Sequence, residues 1–231
     1  MEALFAKKLH VLYETHLYSE NRLRILTRKL KEVLEEQVNF LITQSGMTSP
    51  PFDPTRITKV GRARIVFRFV PTAELPYEAS IETSAEGFLV KMNEKLKEFR
   101  MRRRFRSTVA HELMHTFFYD TSRLPPCRLG IATQSRKMDL IEEDVCRHLA
   151  RHLLMPRSSL LEVLVQREDL RVPCIRSLRA LNSIYDVSAD IIAYRTIKDL
   201  LVWDAVFIRS QSIKGGFKLE PRLKGDYSGY K

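Results

Sequence analysis

The chain has 231 residues, 44% of them hydrophobic, which is enough to bury one core of ordinary size with small appendages. No stretch approaches the roughly 20 apolar residues of a membrane span, and the N-terminus lacks a secretory hydrophobic segment. Cys127, Cys146 and Cys174 are isolated and odd in number, which argues against a disulfide scaffold or a cysteine zinc cluster and fits a cytoplasmic, reducing setting. With 39 Lys and Arg against 28 Asp and Glu, the net charge of +11 points to an acidic polypeptide or nucleic acid as partner and says nothing about the reaction.

Residues 1–45 read as an amphipathic helical region, with Leu23, Leu26, Leu30, Val33, Gln37 and Phe40 at three-four spacing. Core packing is the expectation there, because too few heptads are sustained for a coiled coil. His10 and His16 in this region carry no partner signal. The turn Ser49-Pro50-Pro51-Phe52-Asp53 opens a mixed region in which residues 63–70 and 87–92 alternate or run apolar like short strands, predicting a small sheet. Arg100, Arg102, Arg103, Arg104 and Arg106 follow. Arg102, Arg103 and Arg104 are the candidate residues for capturing substrate electrostatically or for a nucleic-acid contact; a plain solvated basic loop is the alternative.

The next segment is His111-Glu112-Leu113-Met114-His115. On a helix, positions i and i+4 lie one turn apart on the same face, so His111 and His115 can reach one ion while Glu112 reaches a water beside it. That is a ligand pair with a general base. Ser107 reads as the N-cap of this helix, and Leu113, Phe117 and Phe118 give it an apolar face.

Catalytic zinc usually takes three protein ligands and leaves a place for water, so a third ligand is expected from a second helix packed beside the first. Residues 141–156 supply one, with Asp139 as cap, Pro156 as stop, and an apolar stripe of Cys146, Leu149, Ala150, Leu153 and Leu154. Glu143 lies at the edge of that stripe and Glu142 nearer its centre; on periodicity alone either could face the metal. His148 and His152 share the i, i+4 spacing but alternate with Arg147 and Arg151, which predicts a solvated basic face.

These paired helices resemble those of the ImmA/IrrE-type bacterial zinc metallopeptidases, in which an AHExxH helix precedes a helix of pattern E-x-x-A-N-x-F-A-x-x-L-L-M-P. Aligning on Leu153-Leu154-Met155-Pro156 places the family's ligand glutamate at Glu143. Residues 49–53 are similar to the family's Pro-Pro segment and residues 88–93 to the edge strand before its metal helix. Tyr185-Asp186-Val187-Ser188 with Arg195 is similar to its small helical subdomain, so the likeness spans about residues 40–200. Two positions depart from the pattern: Met114 replaces a common glycine, and Arg147 stands where Asn or Asp could orient a metal-bound histidine, a task that Asp139 or Asp144 would have to assume.

The resemblance implies an α+β protein of minimal zincin type. Its core would be 46–157, followed by a helical, helix-turn-helix-like subdomain at 158–202 and a C-terminal hairpin and tail at 203–231. It implies one Zn²⁺ per chain held by His111, His115 and Glu143, with Glu112 as catalytic base, and a protein substrate that is a cognate transcriptional repressor of stress-response or mobile-element genes. Tyr119, Tyr185 and Arg195 are open candidates for stabilising the oxyanion. The alternative from a different class is a nucleic-acid-binding transcriptional regulator with a structural or degenerate metal site; hydrolysis of another bond is a further one. Within 158–202 the first turn after Ser188 carries Asp190, Ile191 and Ile192, which favours a packing role over base reading.

Overall fold

A computed structural model of the chain describes residues 20–129, 136–213 and 216–224. Residues 1–19, with His10 and His16, and residues 130–135, 214–215 and 225–231 lie outside them, as do the side chains of Leu23, Leu26 and Leu30. The described residues form an α+β fold in two compact units, one of residues up to Thr48 with Phe52–Leu154, the other of Ser49–Pro51 with the chain from Met155 onward. Among the described residues, no helix is long and apolar enough to cross a membrane.

In the first unit, α1 (Glu20–Gln44) precedes a four-stranded sheet of β1 (Lys59–Val60), β2 (Ala63–Val70), β3 (Ala79–Ser84) and β4 (Gly87–Asn93). The strand order is β1-β2-β4-β3, with β4 parallel to β2 and antiparallel to β3. Residues 87–93 are therefore an interior strand, and β1 and β3 are the edges. Strand β2 buries Ala63 and Ile65 and exposes Arg64, Val66 and Arg68, the alternation of a sheet covered on one face. At Gly87 (φ +151°) any Cβ would stand 2.1 Å from the carbonyl oxygen of Arg64, so only glycine lets the two parallel strands begin this close together. At the other end of β4, Asn93 is buried. Its Nδ2 donates to the carbonyls of Leu75 and Tyr77 at 2.8 and 3.3 Å, and its Oδ1 accepts from Lys95 N and Thr72 Oγ1, both at 3.0 Å.

Helix α2 (Arg102–His115) follows a 3₁₀ turn at Phe99–Met101. It starts five residues before the expected cap. Ser107 instead lies one turn inside, its hydroxyl donating to the carbonyl of Arg104, because arginine is a good helix former and carries the helix upstream. Val109, Ala110, Leu113 and Met114 are buried, as are Phe117 and Phe118 in the 3₁₀ turn that continues it. A two-stranded ribbon, β5 (Tyr119–Asp120) and β6 (Cys127–Arg128), then leads toward α3 (Arg136–Leu154), whose first turn holds Asp139. Cys146, Leu149, Ala150, Leu153 and Leu154 are buried as the stripe predicted.

Two expectations about exposed faces fail for one reason. His148 and His152 are buried, because α1 covers that side of α3: His148 Nε2 donates to Glu35 Oε1 at 2.6 Å and His152 Nε2 to Asn39 Oδ1 at 2.8 Å. The same packing buries Leu34, Val38, Leu41 and Ile42 of α1 and leaves Phe40 53% exposed, one step around the helix from the predicted stripe.

The second unit holds α4 (Arg157–Gln166), α5 (Ile175–Tyr185) and α6 (Ala189–Ala193), the last running on as a wider π turn over Tyr194–Asp199. Ser188 caps α6 through its hydroxyl, which accepts from Ile191 N, and Ile192 and Ala193 turn inward. A terminal hairpin is formed by β7 (Val206–Ile213) and β8 (Gly216–Lys224).

Candidate metal centre

One turn of α2 separates His111 from His115, and their rings stand edge to face with centroids 4.9 Å apart. Their Nε2 atoms approach to 3.3 Å. From α3, Glu143 brings Oε2 to 3.5 Å from His111 Nε2 and Oε1 to 3.5 Å from His115 Nε2. A tetrahedral ion with bonds of about 2.05 Å has donor atoms about 3.3 Å apart; the Nε2–Nε2 separation matches that edge, and Glu143 reaches the two nitrogens with different oxygens, so that one donor atom from each residue lies within 4.8 Å of the other two. Among the described residues, His111, His115 and Glu143 are the only group of His, Cys, Asp or Glu placed to share an ion.

Glu142 points elsewhere. Its Oε1 accepts from His115 Nδ1 at 2.7 Å, and its Oε2 takes Arg128 Nη2 at 2.5 Å. Periodicity left Glu142 and Glu143 open as ligands, and the packing of α2 against α3 separates them, Glu143 meeting both Nε2 atoms and Glu142 the far nitrogen of one ring. Asp144, considered above as an acceptor for a ligand histidine, is paired with Lys31 of α1 at 2.6 Å. Arg147 lies 3.1 Å from Glu143 Oε2, one turn along α3, with its side chain 65% exposed.

The charge environment fits ligand and base roles. Burial, and then the neighbouring His115, push His111 down to about 4, so it is a neutral donor near pH 7. Burial also disfavours the charged form of His115, but the hydrogen bond and charge of Glu142 outweigh it and raise the pKa. Burial lifts Glu112 above the usual carboxylate range, with the negative charge of Glu143 adding to the effect and His115 opposing it. A carboxylate held proton-hungry beside His115 and Glu143 suits a base. Buried Cys146 is pushed well up, first by burial and then by Glu142, Glu143 and Glu112, so its thiol stays protonated.

The remaining candidates have other engagements. Arg104 meets both carboxylate oxygens of Glu78 at 2.8 and 2.7 Å, while Arg102, Arg103 and Arg104 form the exposed first turn of α2. At about 1.5 Å per residue, that turn is some 10–14 Å along the helix from His111. Arg106, from the same run, is buried and donates to the carbonyl of Phe52. Tyr119 packs edge to face on Phe88 and lies under the guanidinium of Arg128. In the second unit, Tyr185 is buried with its hydroxyl on Ser159. Arg195, also buried, donates to the carbonyl of Met155 and pairs with Asp199. Sequence reasoning missed Arg128 altogether; its one signal is a lone cation shortly before the Glu142-Glu143 pair.

No protein-family model matches this chain, and no curated protein matches it. Among solved structures it is similar to a Mycobacterium tuberculosis transcriptional regulator, at a TM-score of 0.47 and 13% sequence identity. The match covers 97% of this chain and 62% of that one, so the chain spans less than two thirds of that protein's length.

Proposed function

We propose that this protein is a cytoplasmic zinc-dependent endopeptidase of ImmA/IrrE type that cleaves a cognate transcriptional repressor and so releases stress-response or mobile-element genes. The observation that carries the reading is the convergence of His111 Nε2, His115 Nε2 and the Glu143 carboxylate at 3.3 to 3.5 Å on the turn that also bears Glu112. A structural site has no need of that base. The choice of substrate rests on the resemblance in the paired helices.

Zinc, when bound, supplies a Lewis acid that polarises a carbonyl and makes water more acidic. The chain does the rest. His111, held neutral by burial, and Glu143 fix the ion's place, while Glu112 removes a proton from the attacking water and delivers it to the departing amine. The raised pKa of Glu112 helps both steps, since a stronger base takes the proton more readily and the acid formed is still able to release it to an amine.

The test uses the purified full-length chain. Elemental analysis should find about one zinc per chain, and none after His111, His115 and Glu143 are all changed to Ala. Glu112→Gln should keep the metal and lower cleavage of a repressor substrate by about 10²- to 10⁴-fold; cleavage at the wild-type rate would reject the mechanism. Changing Arg102, Arg103 and Arg104 to Ser should raise KM and weaken its salt dependence with kcat within a few fold. Loss of tight, sequence-selective DNA binding in that variant, with no peptidase activity in either protein, would instead establish the regulator reading.

A further inference from the structure

The metal reading leaves one buried carboxylate without a task. Glu142 is 8% exposed, and a carboxylate placed so is unfavourable unless both oxygens are satisfied. One faces His115 Nδ1 and the other faces Arg128, so each oxygen has a partner, one on the metal helix and one on the ribbon that follows it. We propose that Arg128 and Glu142 are positioning residues that together fix the imidazole of His115, Arg128 holding the carboxylate and the carboxylate holding Nδ1–H, so that Nε2 is the nitrogen turned toward Glu143 and His111. This inference rests on the zinc reading for its use, although the arrangement itself needs no ion.

The chain path explains why Arg128 can do this. His115 ends α2, and four residues later Tyr119 begins β5, which pairs with β6 so that Tyr119 and Arg128 stand directly opposite each other. The guanidinium lies over the Tyr119 ring, 5.8 Å from its centroid, and Leu129 N donates to the carbonyl of Phe118 at 2.9 Å just beyond. The segment that carries the ligand histidine thus folds back to present a cation to the carboxylate on α3. Two links, guanidinium to carboxylate and carboxylate to imidazole, run from the ribbon to the donor atom. Arg128 also sets a cation directly against the second oxygen of Glu142.

Partners of this kind change metal affinity about 10- to 100-fold when removed. Zinc affinity of the full-length protein, measured by chelator competition, should fall by about that range in Glu142→Ala and by about the lower end of it in Arg128→Met, which keeps the packing stem and loses the donors. Glu142→Gln keeps the shape and an acceptor oxygen while losing the charge that engages Arg128, and serves if the Ala variant does not fold. The second readout needs no metal: in nitrogen-15 NMR spectra of the metal-free protein, at a pH where its imidazoles are neutral, His115 should be in the Nδ1–H form in the wild type and a mixture of tautomers in Glu142→Ala or Glu142→Gln. An Nε2–H form in the wild type, or unchanged zinc affinity in both Glu142→Gln and Arg128→Met, overturns the inference. If no variant and not the wild type binds zinc while the Nδ1–H form is present and depends on Glu142, the positioning role stands and the zinc reading falls.

Discussion

Helix α3 carries an imidazole and carboxylate cluster on each of two opposite faces, and only one of them gathers lone pairs around a common point. Toward α2, Glu143 meets two Nε2 atoms that already lie 3.3 Å apart, while Glu142 engages His115 from behind. Toward α1, the Nε2 atoms of His148 and His152 go to Glu35 and Asn39 respectively, and His152 Nδ1 stands 3.6 Å from the same Glu35 oxygen. The i, i+4 histidine pair is the same in both. What differs is the facing helix: α2 brings two ring nitrogens that face each other and Glu143, and α1 brings oxygen acceptors that engage the ring N–H groups. Spacing nominates a metal pair, and the opposite surface decides.

The largest test of that contrast is zinc-linked stability. At free zinc about 100-fold above Kd, linkage adds about 2.7 kcal/mol, or roughly 5–10 °C for a chain of this size. The shift should vanish in His111→Ala and persist in a variant with both His148 and His152 changed to Gln; a shift lost in the second variant and kept in the first would reverse the assignment of the two faces.

Next in size is Glu35→Ala, which removes the acceptor of a buried imidazole and should destabilise the protein by about 1–3 kcal/mol in urea unfolding, with zinc content unchanged. Loss of zinc at matched folding would show that the α1 face supports the metal after all.

A smaller effect separates the faces by pH. His115 in the metal-free protein has its pKa raised by Glu142, so its protonated form contributes stability fully below the unfolded value near 6.5, and this is lost as pH rises through the higher folded value. His111 acts oppositely, since a folded value of about 4 makes its protonation unfavourable and lets its contribution grow from about pH 4 toward 6.5. Urea midpoints of the metal-free protein across this range should therefore lose their upper-pH decline in Glu142→Gln. Zinc occupancy should fall on acidification, first as His115 takes up its proton.

The smallest effect belongs to Arg147→Asn. The ion pair with Glu143 is largely solvent-exposed, worth about 0–1 kcal/mol at most, so the thermal midpoint should hardly move. Zinc affinity measured by chelator competition should rise a few fold, because a cation no longer competes for Glu143.

The histidine pair, Glu112 between them and the two helices were legible because each is a property of one helix and its 3.6-residue period. The α+β class followed from apolar stretches such as residues 63–70. Illegible features depended on a second surface. The pattern of α3 marks the face bearing His148 and His152 as basic, and nothing local says that α1 lies on it. Strand β3, Ala79–Ser84, is too polar to read as a strand because it is an edge with an exposed end. Glu142 and Arg128 are brought together by a ribbon of four paired residues, too short to leave a pattern.

Asn93 has a consequence for anyone who wishes to build on this scaffold. Residues 72–77 look like an ordinary surface connection, the usual place to splice in a tag or a reporter loop. The amide of Asn93 fastens that connection at three points, Thr72 Oγ1 and the carbonyls of Leu75 and Tyr77, while the same oxygen caps the turn that starts at Glu94 and leads toward α2. An insertion there would therefore reach the entry to α2 without touching it in sequence. Replacing Asn93 by Asp keeps the acceptor and removes both donors, which makes it the minimal edit for learning how much looseness that entry tolerates.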